Sequence, residues 1–256
     1  MTSTPLGIYS EDIRINMYDV DAAGNPRISR LTERLLLCAS THLELLDWEW
    51  SRLAKELGVC VVLADSRVRL TGNIKLGDRL KITTWTIGRL YPMMTRGFAI
   101  TDCEGNVVFE SVMRSVLMDI ESRSLANPSN YNLTVADQNF EAPAISLLAT
   151  RPAPIRKVDT EGRTPDFCRE HTVNYGDLDY NGHMNTAKYA ECVENLFGAG
   201  SLFANPLTGL DVRYEKEIPP DSTLKTVGFY DAERGATDIA GTSGGAARFY
   251  ATAYRK

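Results

Sequence analysis

The sequence runs twice through the same order of predicted elements. Each half has a short extended segment, a turn-rich stretch, one helix and then several strand-like runs. The first helix starts near Ser29 and is apolar around most of its circumference, at Leu31, Leu35, Leu36, Leu37, Cys38, Ala39, His42, Leu45 and Leu46. A helix of this kind has to be buried. The sequence therefore predicts an α+β fold in which an antiparallel sheet wraps around one long helix in each half.

The strand-like runs after the first helix lie between Leu80 and Ile120, and residues 102–106 carry a hairpin turn signal. The second helix has one apolar face, and strand-like runs follow it at 210–214, 224–230 and 246–254. Between the halves, the stretch 127–166 contains five prolines and little periodicity, which is typical of a linker that crosses a surface. We therefore predict an N-terminal domain at 1–126, a linker at 127–166 and a C-terminal domain at 167–256.

The turns that precede the two helices are similar in sequence. Alignment of Asp21 with Asp179 sets an offset of 158 residues. The paired positions are then Ala23 with Asn181 and Asn25 with His183. A duplicated unit in which only the second copy carries polar chemistry explains this pattern.

The composition excludes several classes of function. A net charge of −5 gives no general attraction to a phosphate backbone, so we expect no nucleic-acid partner. No stretch approaches 18 uncharged apolar residues, so we expect a soluble protein that does not span a membrane. The five cysteines show no C-x-x-C spacing and indicate reduced thiols in the cytoplasm. With three dispersed histidines and no glycine-rich phosphate loop, we expect no metal, nucleotide or flavin.

The densest polar constellation is the turn before the second helix. Asp177, Asp179, Asn181 and His183 alternate along it, and the helix that follows offers N–H groups and a positive dipole end to an oxyanion. The alternative is an Asx-rich turn that only caps the helix through Asn185 or Thr186. The spacing alone leaves both interpretations open. Of the other histidines, His42 is typical of a core residue, and His171 fits either role.

These residues resemble a known signature. Asp179, Asn181, His183 and Asn185, followed by Tyr189 and Glu194, look like the signature of hotdog-fold thioesterases. Two tandem units, a long linker and Glu217 after the second helix are similar to the acyl-acyl-carrier-protein (acyl-ACP) thioesterases of the plant and bacterial type. The resemblance implies tandem hotdog domains, with Asp179, Asn181, His183 and Glu217 as the catalytic set. It also implies release of free fatty acid from acyl-ACP in fatty acid biosynthesis.

One residue departs from that family's pattern. Plant members carry a cysteine directly after the glutamate, where this chain has Ile218, and an aliphatic side chain cannot attack a thioester. We therefore expect Glu217, with its pKa raised by burial, to activate water as a general base. His183 and Asn181 then orient the water and the carbonyl, and the helical turn after Asn185 supplies the oxyanion donor. Asp179 is either a partner of His183 or a nucleophile that forms a transient anhydride.

The resemblance also implies where the acyl-ACP binds. The first half would accommodate the acyl chain between its helix and its sheet. Candidate substrate-binding residues are Asn185 in the second half and Leu35, Leu46, Met93, Met94 and Phe98 in the first. Plain core packing is the alternative for the apolar residues. Because acyl carrier protein is acidic, a docking surface should be cationic, and the candidates are Arg151, Arg156, Lys157 and Arg213.

Two other functions fit the sequence less well. A hotdog thioesterase that acts on acyl-CoA shares the Asp-x-Asn-Gly-His element, but the duplicated plan and Glu217 favour the carrier protein. A noncatalytic module that binds acyl chains or acyl carrier protein would have no need of the four polar residues together. The two units can pair within one chain, so a monomer is feasible, and a homodimer remains an alternative.

Overall fold

A computed structural model describes residues 7–131 except 91, then 133, 140–149 and 154–256. Ten strands form one antiparallel sheet in the described part of the chain. The strands are β1 (Ile8–Arg14), β2 (Val59–Leu70), β3 (Arg79–Leu90), β4 (Met93–Thr101), β5 (Val107–Asp119), β6 (Phe167–Thr172), β7 (Leu207–Tyr214), β8 (Thr223–Asp231), β9 (Ala236–Ser243) and β10 (Ala246–Arg255). The helices are α1 (Ile28–Leu45), α2 (Trp50–Lys55), α3 (Ser146–Ala149), α4 (Thr186–Phe197) and α5 (Ala199–Ala204). The predicted α+β class, with a long helix and a sheet in each half, is confirmed.

The sheet consists of two halves with the same topology. Its strand order is β1-β3-β4-β5-β2-β7-β10-β9-β8-β6. The second half has the order of the first when it is read from the opposite edge. The halves meet where β2 and β7 pair antiparallel, with Asp65–Arg69 opposite Gly209–Arg213. An approximate twofold axis therefore passes through the β2–β7 pair.

The repeat with an offset of 158 residues is confirmed in the backbone. The isolated bridge between Val20 and Pro26 has its counterpart between Leu178 and Met184. In the first half the N–H of Asp21 donates to a carbonyl oxygen at 2.8 Å, and in the second half the N–H of Asp179 does so at 2.9 Å. The helices α1 and α4 start 158 residues apart. The two turns that precede the helices are thus the same structure, and only their side chains differ.

Helix α1 is buried along one face rather than around its circumference. Leu31, Leu35 and Cys38 are fully buried, whereas Leu37 is 62% exposed and Leu45 is 57% exposed. The expectation that the helix is almost enclosed is therefore wrong for Leu37 and Leu45, because α1 packs on one side of the sheet and beside α4. Leu46 directly follows the helix, takes the buried position at its end and is 2% exposed.

The main hydrophobic core extends through both halves. It joins residues of α1, β3 and β4 to residues of α4, β7 and β10 in one buried cluster. The described parts of the linker pack on the other face of the sheet, with Ile145 against Trp85 and Ala99, and Val158 against Phe229. The linker bounds at 127 and 166 stay a prediction. Among the described residues, no helix is both long and apolar enough to cross a membrane.

Candidate active site

Asp177 anchors the turn between β6 and α4. Its side chain is buried and accepts hydrogen bonds from the N–H of Asn174 at 2.9 Å and from Nε2 of His171 at 2.7 Å. Burial alone would raise the pKa of Asp177, but the Asn174 N–H, His171 and the ammonium of Lys188 outweigh burial and hold that pKa below its usual value. Asp177 and His171 therefore fix the shape of the turn.

Asp179 and Asn181 form the tip of this turn. Oδ1 of Asp179 accepts the N–H of Asn181 at 2.8 Å, and the N–H of Gly182 donates to the Asp179 carbonyl at 3.0 Å. Gly182 has a φ of 76°, a conformation that disfavours a side chain at this position. Asn181 is exposed and His183 is half-buried. Among the described residues, no hydrogen bond joins the Asp179 carboxylate to the His183 ring, so Asp179 supports the backbone of the turn.

Glu217 approaches the turn from the loop that follows β7. Its Oε2 lies 3.4 Å from Nδ1 of His183. The N–H of Met184 donates to the carbonyl of Ile218 at 2.9 Å, and Arg248 donates to the carbonyl of Glu217 at 2.9 Å. These backbone contacts fix the loop against the turn. The structure thus brings His183 and Glu217 together at one site, although they lie 34 residues apart in the sequence.

The side chain of Glu217 is 40% exposed, and that of His183 is 33% exposed. The expectation that Glu217 is buried is therefore wrong. Its other oxygen, Oε1, lies 2.5 Å from Nη2 of Arg123. Glu217 is thus an ion-paired carboxylate at the mouth of the site.

Asn185 caps helix α4. Its side-chain oxygen accepts the N–H of Ala187 at 2.9 Å, and its own N–H donates to the carbonyl of Asp177 at 2.8 Å. The predicted cap is therefore at Asn185, and Thr186 is the first residue of the helix. The cap places the N-terminus of α4 directly after His183 and Met184.

The first half contributes two side chains that the sequence analysis did not identify. Arg123, in the turn after β5, pairs with Glu217, and Trp50, at the start of α2, packs edge-to-face on Tyr180 with ring centroids 4.8 Å apart. Tyr180 lies in the tip of the turn, between Asp179 and Asn181. Both contacts join residues more than 90 positions apart, so no local sequence pattern reveals them.

Neither Cys192 nor the residue after Glu217 supplies a thiolate nucleophile at this site. Cys192 is buried on α4, and burial raises the pKa of its thiol to about 12. Ile218, directly after Glu217, is fully buried. A thiolate mechanism at either of these two positions therefore has no support in the geometry.

The predicted acyl-binding residues lie in two different environments. Leu35 and Phe98 are fully buried in the main core. Leu46 belongs to a second cluster, against which the half-buried Met94 packs, and Met93 is half-buried at the start of β4. Met93 and Met94 are therefore more exposed than Leu35 and Phe98.

The described residues predicted to dock the carrier lie in different elements. Arg156 and Lys157 are exposed in the linker, whereas Arg213 lies on β7 and pairs with Glu215 at 2.7 Å. Arg151 lies outside the described residues. Across the described part of the chain, no group of three or more His, Cys, Asp or Glu residues could hold a metal ion.

Comparisons with known proteins identify one family and one fold for this chain. The family model described as Acyl-ACP thioesterase N-terminal domain matches residues 7–130, and the one described as Acyl-ACP thioesterase C-terminal domain matches residues 161–243. The palmitoyl-acyl carrier protein thioesterase, chloroplastic, of Cuphea hookeriana is 22% identical over 236 residues, which cover 89% of this chain and 56% of that protein. The chain thus spans about half the length of the curated relatives it matches.

Two solved structures share the whole fold. An acyl-ACP thioesterase from Bacteroides thetaiotaomicron superposes with a TM-score of 0.82 at 18% identity, covering 97% of this chain and 98% of that one. The 12:0-ACP thioesterase from Umbellularia californica gives a TM-score of 0.82 at 18% identity, covering 100% and 99%. At this identity the superpositions establish the tandem hotdog architecture.

Proposed function

We propose that this chain, which belongs to the acyl-ACP thioesterase family, hydrolyses the thioester of fatty acyl-ACP to free fatty acid and the carrier thiol. The observation that carries the proposal is the contact between His183 and Glu217 at the Asp-x-Asn-x-His turn of the second half. The first half has Ala23 and Asn25 at the equivalent positions and is assigned to acyl-chain binding. The domain boundaries at 126 and 167 belong to the same proposal.

Two observations favour His183, rather than Glu217, as the group that takes the proton from water. Glu217 is partly exposed, and one of its carboxylate oxygens is already paired with Arg123. Its contact with Nδ1 of His183 fixes the ring and leaves Nε2 for water, as in other carboxylate–histidine pairs. Glu217 then orients the imidazole and stabilises its protonated form.

The reaction follows from these roles. Nε2 of His183 removes a proton from water, and the resulting hydroxide bonds to the thioester carbon. The oxyanion faces Asn181 and the N-terminus of α4, where the helix dipole favours negative charge. The C–S bond then breaks, and the proton on His183 passes to the carrier thiolate. Asp179 keeps the turn in shape and, in this scheme, does not form an anhydride.

The test is thiol release from matched acyl-ACP and acyl-CoA substrates by the wild type, His183→Ala and Glu217→Gln. We expect carrier-dependent hydrolysis, a kcat about 10²-fold to 10⁴-fold lower in His183→Ala, and a smaller loss in Glu217→Gln. If Glu217→Gln lost as much as His183→Ala, Glu217 would be the base. Equal rates on CoA would favour an acyl-CoA thioesterase, and acyl-ACP binding without hydrolysis would favour a noncatalytic module.

Carrier recognition is proposed to be electrostatic. Arg156 and Lys157 are exposed, whereas Arg213 is already paired with Glu215, so the linker residues are better placed to meet an acidic carrier. We expect kcat/KM for acyl-ACP to fall as salt rises, and to fall in Arg156→Ala with Lys157→Ala at low salt. A kcat/KM that is independent of salt would contradict electrostatic docking.

The compartment and assembly are also proposals. All five cysteines are unpaired in the structure, which is consistent with a reducing compartment such as the cytoplasm and with a role in fatty acid biosynthesis there. The β2–β7 pair gives each half a neighbouring sheet within one chain, which supports a monomer over a homodimer. Light scattering at micromolar concentration distinguishes the two.

A further inference from the structure

The interior of the first half contains two apolar clusters with polar side chains between them. Along the buried face of α1, Cys38 lies in the main core and Leu46 in the second cluster, and His42 lies between them. Along β4, Phe98 lies in the main core, Met94 packs on the second cluster, and Arg96 lies between them on the same face of the strand. Helix α1 and strand β4 thus each carry one polar residue between the two apolar clusters.

These two residues are part of a connected polar layer, which we define as Tyr9, His42, Thr84 and Arg96. Nη1 of Arg96 lies 2.7 Å from Nδ1 of His42 and 3.2 Å from the hydroxyl of Thr84. The ring of Tyr9 stacks on that of His42 with centroids 6.1 Å apart, and Tyr9 is paired with Thr84 across β1 and β3. The polar layer therefore extends from the sheet to α1.

Arg96 has no carboxylate partner among the described residues. Burial lowers the pKa of its guanidinium to about 10, so the group stays charged at neutral pH. Arg96 is half-buried, and a charge that is largely removed from water without a counterion is costly and is often part of a binding site. Only Nη1 makes hydrogen bonds in the described structure, so the N–H groups on Nε and Nη2 stay available.

The second cluster is linked to the active site through two chain segments. Its members Trp48 and Leu117 belong to the same segments as Trp50, which contacts Tyr180, and Arg123, which contacts Glu217. An acyl chain that enters the first half from the active site therefore passes the second cluster before it reaches Arg96.

We propose that Arg96 binds an oxygen substituent, a hydroxyl or oxo group, on the acyl chain, so that the enzyme prefers oxygenated fatty acyl groups. This inference rests on the proposed function, which places the chain in the first half. A methylene group next to the guanidinium displaces water and offers no hydrogen-bond acceptor in its place. An acceptor oxygen at the same position forms a charge-assisted hydrogen bond. The open N–H groups of Arg96 thus discriminate between a substituted and a plain alkyl chain.

The experiment compares dodecanoyl-ACP with a series of monohydroxydodecanoyl-ACPs in which the hydroxyl moves along the chain. For the wild type we expect kcat/KM to peak at one hydroxyl position, at least about 10-fold above the unsubstituted chain. Arg96→Met should remove that peak and leave hydrolysis of dodecanoyl-ACP, and Arg96→Lys should keep part of it. Arg234→Met, at an exposed hairpin, is the matched control and should keep the full peak.

A second measurement does not depend on turnover. We expect the free hydroxydodecanoic acid of the preferred isomer to raise the melting temperature more than dodecanoic acid does, and Thr84→Val to reduce that difference. If Arg96→Met does not fold, the same two ligands are compared with Thr84→Val and His42→Gln instead. A wild type that hydrolyses no acyl-ACP would overturn the proposed function, while these ligand shifts would still test Arg96.

Two results would overturn the inference while leaving the thioesterase intact. One is equal preference for hydroxylated and plain chains in the wild type and in Arg96→Met. The other is an Arg96→Met variant whose optimum shifts to longer plain chains with no hydroxyl preference in the wild type. In that case Arg96 would be only a steric end to the acyl site.

Discussion

Arg123 is a first-half residue that acts on the second half's site. Its guanidinium contacts Oε1 of Glu217, and this leaves Oε2 to face Nδ1 of His183. The turn that carries Arg123 is held by Asp119, which accepts the N–H and the hydroxyl of Ser122. In the proposed mechanism we therefore assign Arg123 as a positioning residue, which holds the carboxylate of Glu217 against the His183 ring.

Replacement of Arg123 should change catalysis more than stability. We expect Arg123→Ala to lower kcat about 10-fold with little change in KM, since misplacement of an orienting group affects the transition state more than substrate binding. Arg123→Lys should recover part of kcat, because the ammonium keeps the charge but not the geometry. The measurement is steady-state kinetics on acyl-ACP, with a thermal melt as the control for folding.

A different pattern would assign Arg123 to another role. Its side chain is 56% exposed, so a contact with the incoming carrier is the main competing explanation. In that case KM would rise, kcat would stay at the wild-type value, and the loss would shrink at high salt.

At the scale of elements, α1 depends on a carboxylate from α4. Helix α1 has no side-chain cap of its own; its N-cap residue is Arg27. Instead Glu194 of α4 accepts the N–H of Ser29 at 3.0 Å and the Ser29 hydroxyl at 2.6 Å. Glu194 is 6% exposed and lies 3.6 Å from Arg27. One buried carboxylate thus satisfies the first turn of α1 and joins the two long helices.

Glu194→Ala should therefore destabilise the whole fold, by about 2 kcal/mol, because it removes a cap and leaves buried donors unpaired. Glu191→Ala, one turn earlier on α4, removes only a partly exposed ion pair with Lys188 and should change stability little. Urea denaturation of both variants measures the difference. Similar midpoints for the two variants would show that water replaces the cap.

The same carboxylate predicts a pH dependence. Burial raises the pKa of Glu194 above its usual value, although Ser29 and Arg27 oppose the shift. The folded state then holds a proton that the unfolded state has lost, so stability falls as pH rises from the usual Glu value through the folded one. We expect Glu194→Gln to remove this slope when urea midpoints are compared from about pH 4 to pH 7. If Glu194→Gln keeps the same pH dependence of stability, another titratable group causes it.

Local sequence patterns predict some elements of this fold and miss others. The two long helices and the turn at 174–185 follow from local signals and were predicted, and Asn185 was one of two predicted cap residues. The short helices α2, α3 and α5 were not predicted. Strand β2 was not, because its centre has the buried polar run Asp65, Ser66 and Arg67 rather than an alternating apolar pattern. Those charges are satisfied by Arg114 on β5 and Asp211 on β7, both far away in the sequence. Polar pairs of this kind conceal a central strand from periodicity arguments.

The candidate site also contains some residues that local spacing predicts and others that it does not. His183, Asn181 and Asp179 form one local turn, so their proximity could be predicted from spacing. Glu217 came from the family resemblance, and the structure places it at His183. Arg123 and Trp50 were missed because they reach the site only through the pairing of the two halves. The expectation that Glu217 is buried was wrong because the site lies where the two halves meet, rather than in the interior of one half.

At the scale of the whole molecule, the β2–β7 seam makes the two halves one unit. Asp211 of β7 is 4% exposed and accepts hydrogen bonds from Arg67 at 3.0 Å and from Arg69 at 2.6 Å, both on β2. The main core also includes residues of both halves. Neither half therefore has a complete core or a covered edge without the other, and we expect a single cooperative unfolding transition.

Asp211→Asn tests the seam directly. The change removes the charge that two arginines share and leaves them with a neutral acceptor, so we expect a loss of about 3 kcal/mol in the free energy of unfolding, since one partner of a buried ionic cluster is lost. The denaturant slope should stay the same if the protein still unfolds as one unit. Asp231→Asn, in an exposed pair with Arg234 at a hairpin of the second half, is the control and should leave the transition unchanged.

Two transitions in the Asp211→Asn variant would show that the halves unfold separately once the seam is weakened. Because His183 and Glu217 belong to the second half and Arg123 to the first, activity would then be lost with the seam, before the second half itself unfolds. Simultaneous loss of activity and of sheet signal in a single transition would instead show that the seam and both cores form one cooperative structure.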